Sequence, residues 1–200
     1  MSRKAYVLTG DINSERCKFS KNILEKVGFE VNVFIFFPHE NKLTSNRISM
    51  LAIYELIANG NDEWVYVFED DINIMEDIKI DEIIQYESIS EHFFYLGLCI
   101  APENRYDKLY LNKNKINNND VVIIQGNVKG LHAIGLSKNG AKELIEFEKK
   151  YDKSWIMDMI LEKFSILYPA NVVRYDLEYL PGHRGIFFQD QQKFPSTIWV

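Results

Sequence analysis

The sequence predicts an α/β protein in which a mostly parallel central sheet is flanked by helices. Two observations lead to this prediction. Short apolar runs alternate with amphipathic segments through the first half of the chain, as in strand–helix–strand units. The apolar runs are also nearly continuous, which is typical of strands that are covered on both faces of a sheet.

Three strands are predicted in the first half of the chain, over residues 5–9, 31–37 and 64–68. The first connecting helix spans residues 13–27 and ends at Gly28. Its predicted apolar side consists of Phe19, Ile23 and Val27. The second helix begins at a cap formed by Thr44 or Ser45 and ends before Gly60. Its apolar positions have the spacing of one helix face, and they are Met50, Ile53, Tyr54, Ile57 and Ala58.

The second half is predicted to be less regular. Three more apolar runs have strand character, over residues 93–98, 121–125 and 131–136. Two helices are predicted, one from the cap Ser137 to residue 149 and one over 154–164. Residues 101–120 are rich in asparagine and lysine and predict a long loop. The last thirty residues, which include 181–185, are predicted to form an irregular tail that wraps back over the functional site.

Length and composition limit the classes of protein to which the chain can belong. Its 200 residues fit a single domain. The net charge of −6 disfavours nucleic acid as the main partner, because a phosphate backbone is itself negative. No apolar run approaches the roughly 20 residues of a membrane span. The apolar stretch at the N-terminus is too short for a secretory signal, so we expect a cytoplasmic protein, or one of the host cytoplasm if the source is viral.

An acidic triplet, Glu69, Asp70 and Asp71, follows the third predicted strand directly. Ligands of open α/β sheets bind outside the carboxyl ends of the strands, which is where the triplet falls. Because alternate side chains of a strand share a face, Glu69 and Asp71 are expected to point the same way. Two such carboxylates suit Mg²⁺ or Mn²⁺, so the triplet predicts a metal site. The alternative is a solvated loop that caps a helix.

Residues that follow the first strand occupy another position at which such sheets bind nucleotides. Thr9, Asp11 and Arg16 are therefore predicted donor contacts, and an ordinary turn before a helix is the alternative. The sequence contains none of the glycine-rich fingerprints of dinucleotide or P-loop sites, and no nucleophile elbow. Cys17 and Cys99 are far apart and have no metal-ligand spacing, so a structural zinc site is not expected.

The hydrophobic strand that ends in Glu69-Asp70-Asp71 resembles a motif of glycosyltransferase family 25, which includes lipooligosaccharide galactosyltransferases and collagen-type glycosyltransferases. Other segments agree with this family in order and spacing. They are 5–9 with Arg16, Ser49, Tyr95-Leu96-Gly97, Gly130-Leu131-His132-Ala133, Ser137 with Gly140-Ala141, Asp158, and 189–198. The resemblance covers nearly the whole chain, and the combination is more specific than any single motif.

Three positions depart from the pattern of the family. Met50 stands where a histidine is expected after Ser49. Leu131 and Ile134 replace the threonine and tyrosine of a Gly-Thr-His-Ala-Tyr motif. These departures bear on donor and acceptor specificity more than on the fold, and they leave room for a divergent or weakly active member.

The resemblance implies a GT-A-type, Rossmann-like fold and a metal-dependent glycosyltransferase. Residues 1–100 would bind the nucleotide sugar, and residues 121–200 would form the acceptor side and the C-terminal tail. The implied donor is a UDP-sugar, with galactose or glucose as the hexose, and the implied acceptor is a hydroxyl group of a glycan or protein. Mn²⁺ or Mg²⁺ is the implied cofactor, and lipopolysaccharide biosynthesis is an implied role.

The same resemblance assigns roles to individual residues. Glu69 and Asp71 would hold the metal, with His183 completing its shell, and Asp70 would contact the ribose or sugar of the donor. Arg184 would hold the diphosphate, because a guanidinium group matches phosphate oxygens. Asp158 would act as the base that deprotonates the acceptor in an inverting reaction. His132 is expected to be a buried strand histidine.

Two alternatives to a glycosyltransferase stay open at this point. The first is a catalytically inactive sugar-binding or scaffold protein that keeps the fold, which the departures at Met50 and Leu131 favour. The second is another enzyme that uses the same carboxylates and a metal on nucleotides, such as a phosphoesterase or nucleotidyltransferase.

Overall fold

A computed structural model describes residues 2–100, 112–116, 119–126 and 128–195 of the chain. The closing residues 196–198, which carry part of the family resemblance, lie outside the described residues. So does most of the loop predicted over 101–120. The described part of that loop contains two strands instead, over residues 112–116 and 119–124. The second is the strand predicted over 121–125, which begins two residues earlier than expected. The first was not predicted, because it is the outermost strand of the sheet and lacks a continuous apolar run.

The elements alternate between strand and helix in the first half, as predicted. The strands are β1 (Arg3–Thr9), β2 (Phe29–Ile35), β3 (Trp64–Glu69), β4 (Ile72–Ile74), β5 (Phe93–Ile100), β6 (Asn112–Ile116), β7 (Asn119–Ile124), β8 (Val128–Ser137), β9 (Ala170–Val172), β10 (His183–Gly185) and β11 (Phe187–Gln189). The α-helices are α1 (Glu15–Val27), α2 (Lys42–Asn59), α3 (Ile80–Ile83), α4 (Lys138–Glu148) and α5 (Met157–Leu167). A 3-10 helix, Ile84–Ser88, follows α3.

One large sheet organises the described residues, with the strand order β2-β1-β3-β8-β5-β9-β7-β6 and β10 paired to β5. The pairings of β1 with β2 and β3 are parallel, and β8 lies antiparallel between β3 and β5. Six of these nine strands run in one direction, and β7, β8 and β10 run in the other. The predicted α/β class with a mostly parallel sheet flanked by helices is therefore confirmed.

The two faces of the sheet bury different sets of side chains. Val65 and Val67 of β3 belong to the apolar cluster that α2, α4 and α5 cover. Tyr66 and Phe68 belong to the cluster on the opposite face, where α1 packs. Because side chains alternate along a strand, Glu69 continues the face of the two valines. The acidic triplet is thus divided between the two faces of the sheet.

Helix α1 buries Val27 as predicted, but its other buried residues differ from the predicted ones. Ser14 caps it by accepting a hydrogen bond from the Cys17 amide, and Gly28 ends it in the left-handed conformation. Its buried residues are Cys17, Ser20, Leu24 and Val27 rather than Phe19 and Ile23. Phe19 instead packs against Phe194, with ring centroids 5.4 Å apart, so the end of the chain covers this side. A contact over such a sequence separation leaves no local pattern.

Helix α2 starts one turn earlier than predicted. The side chain of Asn41 accepts hydrogen bonds from the amides of Leu43 and Thr44, which makes Asn41 the cap instead of Thr44 or Ser45. The predicted apolar face is confirmed, since the side chains from Met50 to Ala58 that define it are buried. None of the described helices has both the length and the apolar character that crossing a lipid bilayer requires.

The C-terminal segment is more regular than predicted but takes the predicted path. It forms β10, which pairs with β5, and β11, which pairs with β4. The amide of Asp190 donates a 2.8 Å hydrogen bond to the carbonyl oxygen of Asp71. The end of the chain therefore returns to the acidic triplet.

Candidate functional site

Asp70 is held on the α1 face of the sheet by residues that precede and begin α1. The Thr9 hydroxyl donates a 2.5 Å hydrogen bond to Asp70 Oδ2, and Arg16 Nε lies 2.8 Å from Asp70 Oδ1. The Ser20 hydroxyl donates to the carbonyl oxygen of Asp70 at 2.8 Å. Burial raises the pKa of Asp70, and the contacts with Thr9 and Arg16 partly offset this effect. Both carboxylate oxygens of Asp70 are thus engaged within the protein.

Asp71 is buried and only partly paired. Its Oδ2 atom lies 3.2 Å from the guanidinium group of Arg16. Its Oδ1 atom is buried and makes no hydrogen bond with the described residues. Burial raises the pKa of Asp71 to about 6, although the charge of Arg16 opposes the shift. A buried carboxylate oxygen without a donor is costly unless a ligand supplies one.

Glu69 projects to the other face, toward α2 and α5. Gln189 of β11 donates a 2.7 Å hydrogen bond to Glu69 Oε2. The pKa of Glu69 is raised well above its usual value by burial first, and then by the charges of Asp71, Asp158 and Asp70. A hydrogen bond from Asn46 at the start of α2 works in the opposite direction.

Asp158 lies in the first turn of α5, beside Glu69. Burial raises the pKa of Asp158 to about 6. The backbone amides of Leu131 and Gly130 in β8 hydrogen-bond to the carboxylate and limit the shift. Gly130 has a positive φ of 121°, which only glycine adopts easily, and this conformation aims two successive amides at Asp158. The structure thus brings the predicted base next to the predicted metal ligands.

His183, predicted as a site residue, and His132, predicted as a buried strand histidine, both lie on strands. His183 of β10 contacts Cys99 of β5, with 3.2 Å between Nδ1 and Sγ. Burial, followed by the charges of Asp158, Glu69 and Asp71, raises the pKa of Cys99 to about 12. This thiol therefore stays protonated. His132 is buried as expected, and burial followed by the charge of His183 lowers its pKa to about 4.

Arg184 and Asp11 have other partners in the structure. Arg184 forms an ion pair of 2.9 Å with Glu178, and its guanidinium group lies 5.3 Å from the ring centre of Tyr175. Asp11 is exposed, and its carboxylate accepts a 2.8 Å hydrogen bond from the amide of Asn13 in the turn before α1. Thr9 and Arg16, predicted as donor contacts, bind Asp70 within the protein.

Two residues at the site were not predicted as site residues from the sequence. Asn46 lies on the helical turn that faces Glu69, and Gln189 lies on a strand of three residues. A polar residue on the buried side of α2 was one available signal, because Asn46 is only 8% exposed. Gln189 had only the weak signal of the family resemblance.

The donor set of the site agrees with a magnesium or manganese ion that is shared with a ligand. No group of three or more His, Cys, Asp or Glu residues in the described ranges is arranged to hold a metal ion by itself. Mg²⁺, however, is usually bound through one or two carboxylates together with waters and phosphate oxygens. The free Oδ1 atom of Asp71 and the nearby carboxylate of Glu69 provide such a partial set.

The fold is similar to that of UDP-glucose pyrophosphorylases. The enzyme from Acinetobacter baumanii superposes with a TM-score of 0.50 at 8% identity, over 86% of this chain and 85% of that one. A UDP-glucose pyrophosphorylase complexed with UDP-glucose gives 0.49 at 10% identity, over 86% and 89% of the two chains. The glycosyltransferase GlyE of Streptococcus pneumoniae gives 0.44 at 10% identity, over 95% and 55%. The chain matches no protein-family model and no curated protein sequence.

Proposed function

We propose that the protein is a metal-dependent glycosyltransferase that moves a hexose from a UDP-sugar to a hydroxyl group of a glycan or protein. The observation that carries the proposal is the position of Asp158. This carboxylate lies close enough to the acidic triplet for its charge to raise the pKa of Glu69. A predicted base and predicted metal ligands from distant parts of the sequence therefore share one site.

Glu69 and Asp71 are the proposed ligands of a divalent cation, Mn²⁺ or Mg²⁺. When bound, such a cation would neutralise the negative charge that develops on the departing diphosphate. The raised pKa of Glu69 would fall beside the cation, because a nearby positive charge favours the ionised carboxylate. Asp70 is a positioning residue in this proposal, because its oxygens are engaged by Thr9 and Arg16.

Asp158 is the proposed general base. The acceptor oxygen attacks the anomeric carbon and forms the new glycosidic bond, while the bond from that carbon to the diphosphate oxygen breaks. The proton of the acceptor hydroxyl passes to the Asp158 carboxylate. A pKa of about 6 leaves Asp158 ionised at neutral pH, yet basic enough to accept this proton. The amides of Gly130 and Leu131 would hold the carboxylate during the transfer.

The charge balance of the site favours a neutral acceptor. Four carboxylates, on Glu69, Asp70, Asp71 and Asp158, are accompanied by the cations of Arg16 and Lys129 in the described part of the chain. Nucleotidyl transfer would bring together two anionic substrates, a triphosphate and a sugar phosphate, and would gain from a surplus of cations. A sugar or protein hydroxyl carries no such charge.

Membership in glycosyltransferase family 25, with galactose or glucose as the hexose, is part of the proposal and rests on the resemblance of the sequence.

A panel of nucleotide sugars, incubated with the protein and Mn²⁺, tests the proposed function. The readout is release of the nucleoside diphosphate. Mn²⁺-dependent release of UDP, lost in Asp158→Asn, supports the proposal. Turnover of nucleoside triphosphates with sugar phosphates would replace it with nucleotidyl transfer. An absence of both UDP binding and turnover would favour a scaffold protein.

A further inference from the structure

Arg16 is the counter-ion of the acidic triplet in the structure. Its guanidinium group bridges two carboxylates, at 2.8 Å from Asp70 and 3.2 Å from Asp71. The Arg16 side chain is 17% exposed, whereas those of Asp70 and Asp71 are 10% and 6% exposed. A positive charge therefore already lies beside Asp71, one of the proposed ligands of the cation.

We propose that Arg16 acts as a built-in competitor that keeps the affinity of the site for a divalent cation low until an anionic ligand engages its guanidinium group. This inference rests on the cation site of the proposed function. Two positive groups that share Asp71 repel each other, and the low polarity around a buried carboxylate strengthens that repulsion. A nucleoside diphosphate relieves it, because phosphate oxygens match the guanidinium fork.

The contacts of Arg16 with Asp70 and Asp71 differ in length and in what else holds each carboxylate. Asp70 has a second strong partner in Thr9, so it stays fixed when Arg16 moves. The contact of Arg16 with Asp71 is the longer of the two, and Asp71 keeps its Oδ1 atom without a hydrogen bond to the described residues. The arm of Arg16 on Asp71 is thus the one that yields to a cation.

Cooperative binding of the cation and the diphosphate follows from this arrangement. Binding of either ligand lowers the free-energy cost of binding the other, and this coupling free energy must be equal in both directions. A site without Arg16 should bind the cation well alone and should gain less from added diphosphate.

Titration of the metal-free protein with Mn²⁺, in the absence of any nucleotide, tests the proposal. Arg16→Met keeps much of the aliphatic stem of the side chain and removes the charge. We expect it to bind Mn²⁺ about tenfold more tightly than the unmodified protein. Lys18→Ala is the matched control, since it removes one positive charge from an exposed position of the same helix and should change the affinity less than about twofold.

The same titration in the presence of UDP gives the second readout. The factor by which UDP tightens Mn²⁺ binding should be smaller in Arg16→Met than in the unmodified protein. If Arg16→Met does not fold, Arg16→Lys replaces it; this variant keeps the charge, loses the fork, and should tighten Mn²⁺ binding to a smaller extent.

Unchanged or weaker Mn²⁺ binding in the soluble variant would overturn the inference, as would a failure of both proteins to bind Mn²⁺. Neither result decides the proposed function, because turnover of UDP-sugars by the unmodified protein is measured separately. Conversely, tighter binding in the variant supports the inference even if the enzyme proves to act on other nucleotides.

Discussion

The carboxamide of Gln189 donates a 2.7 Å hydrogen bond to Oε2 of Glu69, although the two residues lie 120 positions apart in the chain. Gln189 ends β11, and β11 pairs antiparallel with β4, the short strand that follows the acidic triplet. Strand β11, the last of the described strands, therefore holds the carboxylate of Glu69 through Gln189.

Removal of this donor should weaken the cation site. In Gln189→Ala, Glu69 loses a hydrogen bond to its charged form, so its pKa rises further and a larger fraction is protonated. We expect Mn²⁺ to bind roughly three- to tenfold more weakly, with a loss of about 1 kcal/mol in the free energy of unfolding. Gln191→Ala, at an exposed position two residues later, is the control. Equal affinities in the two variants would show that the bond to Glu69 has no functional role.

Asp158 should impose an acidic limit on the reaction. A base must be deprotonated, and the pKa of Asp158 is about 6, so kcat/KM should rise with pH and level off above this value. Asp158→Asn should lower kcat about 100-fold or more and remove this dependence, while UDP still binds. Glu162→Gln, one turn further along α5, is the control. Both profiles are measured at saturating Mn²⁺, which keeps Asp71 ionised. A steep rise near pH 6 that persists in the residual activity of Asp158→Asn would then contradict the assignment of the base to Asp158.

The parts of the site that could be predicted from the sequence are those with a local pattern. Glu69, Asp70 and Asp71 follow an apolar run directly, so the end of the strand and the place of the carboxylates were predicted together. Residues 157, 160, 161 and 164 of α5 show the spacing of a buried face, and this placed Asp158 next to that face.

The missed features depend on contacts between distant segments. Strands β4, β9, β10 and β11 have three residues each, which is too short for periodicity to distinguish them from loops. The pairing of Arg16 with Asp70 and Asp71 spans more than 50 positions and has no local sequence signal. The sequence therefore predicted Arg16 only as a donor contact, and its two carboxylate partners within the protein became visible in the structure.

The buried charge of Asp71 should lower the free energy of unfolding of the metal-free protein. Its pKa is raised from 3.8 to about 6, so the folded state resists the charged form, and this cost is fully present above pH 6 and absent below pH 4. Without metal, Asp71→Asn should raise the free energy of unfolding at pH 7.5 by roughly 1–3 kcal/mol. Urea unfolding at pH 7.5 and pH 4 measures this, and no gain is expected at the lower pH.

The control for this comparison is Asp77→Asn, which removes an exposed carboxylate and should leave the stability nearly unchanged. Asp71→Asn should also lose Mn²⁺ binding. A loss of stability at pH 7.5 would mean that the ion pair with Arg16 outweighs the cost of burying the charge.

Gly97 should tolerate no side chain, because two other segments occupy the space beside it. A Cβ atom there would lie 2.1 Å from the carbonyl oxygen of Phe187 and 2.5 Å from Nε2 of His132. Gly97→Ala should therefore push β11 away from the sheet and lower the free energy of unfolding by about 1–3 kcal/mol. It should also weaken Mn²⁺ binding, because β11 carries Gln189.

Gly10→Ala is the matched control, since its Cβ atom would meet only the Phe36 ring, at 4.0 Å. This variant should change the stability by less than about 0.5 kcal/mol. Equal urea midpoints for the two variants would show that β11 does not press against Gly97 as the structure has it.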